Sequence, residues 1–378
     1  MSCLSVCFKP KTDVPKYQAK ENDEDMGDCN VKMYTYKEMQ LATDNFSIDN
    51  KIGQGGFGSV YRGKLKDGTL VALKLLSAQS KQGLREFLTE IIVISSVTHE
   101  NLVHLYGCCV ESSQRILVYG YIEYGSLDQT LLGRKQSSIQ FDWNTRSRIC
   151  IGVARGLAYL HEELRPRIIH RDIKASNILL SKDLIPKISD FGLAKLFPDH
   201  LTHVTTRVTG TLGYLAPEYA VRGQLTRKAD IYSFGVLLME IVSGRCHTNK
   251  QLPTGDQHIL EMAWKMYEEG SLAELVDISI ELDKGSEEAF KFLKIGLLCT
   301  QGMPKLRPSM SEVVKMLTGK RNVDEKTITK PGLLSELMIP QSSNDTSSIN
   351  TTLNVESGQR NESSSFENYT DETLPTIK

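Results

Sequence analysis

The chain has 378 residues, 40% of them hydrophobic and 24% charged, the composition of an ordinary soluble globular protein. Its 45 Lys and Arg against 46 Asp and Glu leave a net charge of -1. That argues against a general nucleic-acid binder, whose affinity comes from excess positive charge; a local basic patch is compatible with it, and no nucleic-acid partner is expected.

Residues 1–33 mix Lys, Asp and Glu with few large apolar side chains and are expected to form a disordered arm. The apolar stretch Leu4 to Phe8 is too short for a secretory leader. No run of about 18 apolar residues is present anywhere to span a bilayer. A cytoplasmic chain with reduced thiols at its eight cysteines is therefore expected. Ser2 excludes N-myristoylation. Cys3 and Cys7 flank apolar residues and precede Lys9, Lys11 and Lys16. S-acylation beside a basic patch makes a two-signal anchor, and a lipid anchor at the inner face of the plasma membrane is the only membrane contact expected. Idle thiols in the arm fit the same residues.

Residues 34–45 read as an N-terminal extension of a folded domain spanning 46–320. Residues 321–378, rich in Ser, Thr and Asn, read as a disordered tail that buries too little surface to offset its chain entropy. Within the domain, 46–122 is strand-rich. Asp67-Gly68 is a hairpin signal between Ser59–Leu65 and Thr69–Leu76. Leu84, Phe87, Leu88, Ile91 and Ile94 recur at helical spacing. Leu102–Val110 and Arg115–Ile122 read as further strands. Residues 123–320 turn helical, at 143–163, 228–243, 258–269, 286–300 and 309–319. A small β-rich lobe, a larger α-rich lobe and a cleft between them predict an α+β fold.

Gly53-Gln54-Gly55-Gly56-Phe57-Gly58-Ser59-Val60 is a GxGxxGxV loop. A dinucleotide fold needs a helix to start inside such a loop, and here a strand continues instead. A P-loop needs a closing Gly-Lys-Ser/Thr, which is absent. What remains is a β-hairpin whose backbone N–H groups can approach phosphates, or a plain flexible turn. One hairpin later, Ala72 and Lys74 share a strand face, suited to a purine ring and its phosphates. An inward ammonium needs a counter-charge, which Glu90 in the predicted helix can supply.

His170-Arg171-Asp172-Ile173-Lys174-Ala175-Ser176-Asn177, then Asp190-Phe191-Gly192, then Ala216-Pro217-Glu218 follow in order. With the loop and Lys74 they resemble the signature set of the eukaryotic protein kinases. Ala42-Thr43-Asp44-Asn45-Phe46-Ser47, Asn101-Leu102-Val103 and Gly210-Thr211-Leu212-Gly213-Tyr214 narrow the resemblance. They are similar to the plant receptor-like kinases, relatives of the interleukin-1-receptor-associated kinases. Within that group the chain resembles the receptor-like cytoplasmic kinases, near the cold-responsive protein kinases.

The resemblance implies the bilobal kinase fold, with lobes at 46–122 and 123–320, and an ATP-dependent Ser/Thr protein kinase. It implies that Asp172 accepts the substrate hydroxyl's proton, Lys174 offsets phosphoryl charge, and Asn177 and Asp190 hold Mg2+, with Mn2+ as a substitute. The ATP set is Ile52, Gly53, Gln54, Gly55, Gly56, Phe57, Gly58, Ser59, Val60, Ala72, Lys74, Glu90, Tyr119, Gly120, Ile122 and Leu179. Tyr119 takes the gatekeeper position, and the backbone of Gly120 and Ile122 meets the adenine edge. Glu218 and Arg307 are expected to pair, and Asp230 to brace the catalytic loop. The partners implied are protein substrates and an upstream membrane receptor kinase. A pseudokinase scaffold is the alternative, disfavoured because Lys74, Glu90, Asp172, Asn177 and Asp190 are all present. Arg171 is expected to lack a partner until an anion arrives, with phosphorylation at Thr206 or Thr205 docking on Arg171 and Lys195. Thr211, a further candidate for phosphorylation, is expected to contact Asp172.

Overall fold

A computed structural model describes residues 31–55, 58–76, 81–95, 97–111, 113–133, 139–248, 257–280 and 285–334. Cys3, Cys7, Gly56, Phe57 and the tail from 335 onward lie outside the described residues. The small lobe contains β1 (Lys32–Met33), α1 (Tyr36–Ala42), β2 (Lys51–Gly55), β3 (Gly58–Lys64) and β4 (Leu70–Leu76). It continues with α2 (Lys81–Ile94), β5 (Leu105–Glu111) and β6 (Gln114–Gly120). The sheet order is β1-β5-β6-β4-β3-β2.

Residues 31–33, expected in the disordered arm, belong to the fold. β1 pairs in parallel with β5, and Gly107 makes room for it: a Cβ there would lie 2.2 Å from the Lys32 carbonyl oxygen. The extension is ordered too. A Thr35–Glu38 capping box starts α1, and Met39 is fully buried among Val71, Leu73, Cys109, Ile116 and Val118.

The large lobe contains α3 (Leu127–Thr130), α4 (Trp143–Ala158), β7 (Arg167–Ile169), β8 (Ile178–Leu180), β9 (Pro186–Ile188) and β10 (Lys195–Phe197). After β11 (Val204–Thr205) come α5 (Pro217–Arg222), β12 (Gln224–Leu225), α6 (Arg227–Ser243), α7 (Ile259–Glu268), α8 (Ser286–Cys299) and α9 (Met310–Leu317). In α6 every residue from Ala229 to Ser243 is buried, so the large lobe is built around it. Phe87 and Ile91 of α2, Phe191 and the α6 core belong to one apolar cluster, which joins the lobes behind the cleft.

The chain does not leave the fold at 320. Val323, Ile328, Leu333 and Leu334 pack on the core, Gly332 N donates to Thr300 O at 3.0 Å, and Tyr232 Oη donates to Gly332 O at 2.7 Å. The expected tail therefore begins with a packed strap, held by backbone bonds that composition does not reveal.

Candidate active site

In the small lobe, β4 carries Lys74 into the cleft and α2 carries Glu90 opposite it. Lys74 Nζ lies 2.6 Å from Glu90 Oε1 and 2.7 Å from Asp190 Oδ1. Burial alone would lower the lysine's pKa; the carboxylates of Asp190 and Glu90 outweigh that and hold it above its ordinary value. Burial likewise opposes ionisation of Asp190, but Lys74 keeps that acid below its ordinary value. Glu90, fully buried, is raised by burial despite Lys74. Tyr119 Oη donates to Glu90 Oε2, a contact that the gatekeeper assignment by itself did not anticipate.

The glycine loop is the β2–β3 turn, with Gly53 opposite Val60, Gln54 opposite Ser59 and Gly55 opposite Gly58. Gly58 has φ +127°, and a Cβ there would lie 1.8 Å from the Leu75 carbonyl oxygen. At Gly55 a Cβ would meet nothing within 4 Å among the described residues beyond its chain neighbours. Packing therefore demands Gly58, while the open space at Gly55 suits close approach of a phosphate. Ala72 pairs with Tyr119 across β4 and β6, and Val60, Ala72 and Leu179 are half-buried while Ile52 is exposed. Gly120 N donates to His104 O at 3.0 Å.

In the large lobe, the segment between β7 and β8 gathers Asp172, Lys174 and Asn177. Thr211 Oγ1 donates to Asp172 Oδ1 at 2.8 Å and accepts from Lys174 Nζ at 2.8 Å. Lys174 Nζ also lies 2.9 Å from Asp172 Oδ2. Asn177 Nδ2 donates to Asp172 O at 2.9 Å and to Asp172 Oδ2 at 3.0 Å. With that nitrogen engaged, the Asn177 amide oxygen is the atom left for a cation. That oxygen and the Asp190 carboxylate are both hard donors of the kind Mg2+ takes.

Asp230 braces this loop from below. Its Oδ2 accepts from His170 N at 2.7 Å and its Oδ1 from Arg171 N at 2.8 Å. His161 Nε2 stands 2.9 Å from Asp230 Oδ2, and these contacts keep the acid below its ordinary value although burial opposes that. Sequence reasoning missed His161, which lies 69 positions from its partner in no recognisable motif. The ring of His170 meets that of Phe191 edge-on at 4.8 Å, so Phe191 is fully buried beneath Asp190. Arg171 and Asp190 have φ of 73° and 67°, a strained backbone at both ends of the site.

Arg171 is not without partners, which corrects the expectation. Its Nη1 donates to Leu193 O at 3.0 Å and its Nη2 to Arg207 O at 2.9 Å, and Tyr219 Oη takes two further bonds. Backbone carbonyls of the folded segment satisfy the guanidinium without an anion. Arg171 still borders a cavity of about 520 Å³ with Arg85, Lys195 and Thr206. Thr205 lies in β11, paired with Gln224. Glu218 and Arg307 form the bidentate pair expected of them, at 2.8 Å through each nitrogen.

The family profile described as protein tyrosine and serine/threonine kinase matches residues 46–317. Cold-responsive protein kinase 1 of Arabidopsis thaliana is 66% identical over 311 residues, which cover 82% of this chain and 80% of that one. A probable LRR receptor-like serine/threonine-protein kinase of the same plant is 53% identical over 317 residues, 83% of this chain and 30% of that one. A probable leucine-rich repeat receptor-like serine/threonine-protein kinase is 48% identical over 330 residues, 87% of this chain and 32% of that one. The chain thus spans most of the first relative and about a third of the two receptor-like ones.

Proposed function

Because the chain belongs to the protein tyrosine and serine/threonine kinase family, we propose that its two clusters of charge work as one site, which transfers the γ-phosphoryl group of ATP to Ser or Thr hydroxyls of protein substrates. The observation that carries this reading is the bridge from Lys74 to both Glu90 and Asp190. A scaffold that had lost catalysis would have no use for an ammonium held between a buried acid and a half-buried one.

In this reading Asp172 takes the proton of the attacking hydroxyl. Lys174, 2.9 Å away, offsets charge on the transferred group. Thr211 and Asn177 hold the Asp172 carboxylate in place through its two oxygens. Lys74, oriented by Glu90, meets the nucleotide's phosphates, while Val60, Ala72 and Leu179 enclose the base. A magnesium ion, or manganese in its place, held by Asn177 and Asp190 would neutralise phosphate charge. Phosphate on Thr206, or on Thr205 beside it, is read as activating; at Thr206 it would add charge beside Arg85, Arg171 and Lys195. Thr211 is read as a positioning residue, because a phosphate there would set like charge against Asp172.

The receptor-like kinases among the relatives support an upstream membrane receptor kinase as the activating partner, and plant signalling as the setting. No helix among the described residues is long and apolar enough to cross a membrane, and a cytoplasmic site of action is part of this proposal. The test is Asp172→Asn with labelled ATP and a generic protein substrate. Turnover is expected to fall by about 10²–10⁴, the scale of a positioned general base. Full activity in that variant would remove Asp172 from the mechanism.

A further inference from the structure

The strap fixes the point at which the chain leaves the described fold. Gly302 N donates to Lys330 O at 3.1 Å. A Cβ on Gly332 would lie 2.7 Å from Pro217 Cγ and 3.2 Å from Gly302 Cα. Two residues later Leu334, with helical backbone, is half-buried and packs on the core. The strap thus ends beside the first turn of α5 and the turn at 302–307.

Three large apolar side chains stand in water at that place. Val221 is 57% exposed, Met303 53% and Leu306 42%. Val221 lies four positions after Pro217 and three after Glu218, so it shares their face of α5. That face meets the strap through Pro217 and meets Arg307 through Glu218. Met303 adjoins Gly302 and Leu306 adjoins Arg307. Leu306 N donates to Met303 O at 3.0 Å and closes the turn that carries both. Arg222 and Lys305, both exposed, flank the face. A single exposed apolar residue is ordinary, but three gathered on two elements joined by the Glu218–Arg307 pair favour a cover.

We propose that this face is an intramolecular docking surface, and that its occupant is the segment 337–339 of the same chain. The residues that follow Leu334 are Ser335-Glu336-Leu337-Met338-Ile339-Pro340. At helical spacing from Leu334, Leu337 and Met338 return to one face, and Pro340 ends the turn. Glu336 is the one charge among the six and is opposite in sign to Arg222 and Lys305. The eight residues from Gln341 to Ser348 hold no large apolar side chain, so 337–339 is the apolar stretch within reach. Three residues of extended chain span about 10 Å at most, which keeps Leu337 close to where Leu334 packs. A tether that short holds the segment at an effective concentration on the order of millimolar, which a second copy in dilute solution does not reach. Once docked, the segment covers the seam over the Glu218–Arg307 pair and ties the start of the tail to α5. The inference stands without the kinase reading.

The test uses the full chain with p-benzoylphenylalanine in place of Met338, photolysed as a mixture of isotopically heavy and light copies. Crosslinks are expected from position 338 to Val221, Met303 or Leu306 within one copy. Crosslinks that join heavy to light copies overturn the chain's own segment as occupant and assign the face to a second copy. Crosslinks to other residues only, or none, overturn the docking. Hydrogen exchange gives an independent reading. In the full chain carrying Leu337→Asp and Met338→Asp, the amides of 219–223 and 306–307 are expected to exchange about tenfold faster than in wild type, the scale of withdrawing one aliphatic side chain. Exchange in α6 is expected to stay unchanged in the same sample, since both substitutions lie outside the described core. Unchanged exchange over 219–223 and 306–307 overturns the proposal. Val221→Asp alters the face itself and is expected to quicken 306–307 to the same degree. A response to Val221→Asp with none to the tail variant means that something other than 337–339 covers the face, and overturns the proposal as well.

Discussion

The two lobes hold their buried charge by different means. In the small lobe Lys74 reaches an acid on α2 and another 116 residues away in the large lobe, so that cluster exists only while α2 and both lobes keep their relative positions. In the large lobe Asp230 takes its bonds from His161, His170 and Arg171, and Glu218 pairs with Arg307, all within one body. The first arrangement spans both lobes and, in the proposed reaction, serves the chemistry. The second forms with the fold and belongs to stability. Substitutions should therefore separate the two: changes at the Glu218–Arg307 pair read out in unfolding, changes at the Lys74 cluster in turnover.

The largest stability effect is expected at Arg307, which is 1% exposed and also donates to the carbonyls of Gln301 and Lys228. Arg307→Met leaves Glu218 without its cation, and urea unfolding should show a loss of about 3–5 kcal/mol. A smaller loss would mean that the pair contributes no more than a surface bridge. Lys74→Met should lower kcat/KM for ATP by about 10²–10³, the scale of one preorganised donor, with cooperative unfolding retained. Global unfolding of that variant would erase the contrast between the lobes.

Tyr119→Phe removes the phenol from Glu90 and leaves that carboxylate paired with Lys74. A hydrogen bond to a charged group contributes about 1.5–3 kcal/mol, so exchange in α2 should quicken by one to two orders of magnitude, with a several-fold loss of activity. Unaltered exchange would assign the orientation of α2 to Lys74 and the apolar packing of Phe87 and Ile91.

The smallest effect is a pH dependence. His170 is fully buried, and burial holds its pKa below the ordinary 6.5. As a neutral ring it accepts from Asp172 N at Nδ1, at 3.3 Å, and meets Ser189 O through Nε2 at 3.0 Å. The unfolded chain then binds the proton more readily than the folded one. Its contribution is complete above 6.5 and is lost as pH falls through that value toward the folded one. His170→Asn should flatten that part of the stability profile. An identical slope in wild type and variant would assign the titration to another group.

Much of this was legible in the chain. Apolar spacing marked α2, α4, α6, α8 and α9 to within a few residues, because one buried helix face imposes its period on the sequence. The motif order marked Lys74, Asp172, Asn177 and Asp190, because phosphoryl transfer needs those residue types. The packed strand at 31–33 and the strap at 321–334 were not legible. Both are held by backbone bonds to distant segments, and backbone groups leave no signature in residue type. Arg171 misled for the same reason, since its acceptors are the carbonyls of Leu193 and Arg207.

The sequence by itself determined which charges the protein owns, in what order they come, and that two unlike lobes would flank a cleft. Only the tertiary structure decided which atoms those charges meet: Tyr119 on Glu90, His161 under Asp230, Thr211 between Asp172 and Lys174. The reason is physical. Side-chain type and periodicity are local properties of the chain. A hydrogen bond between residues tens of positions apart depends on how the sheet twists and how the lobes close, which is set by the packing of the whole core.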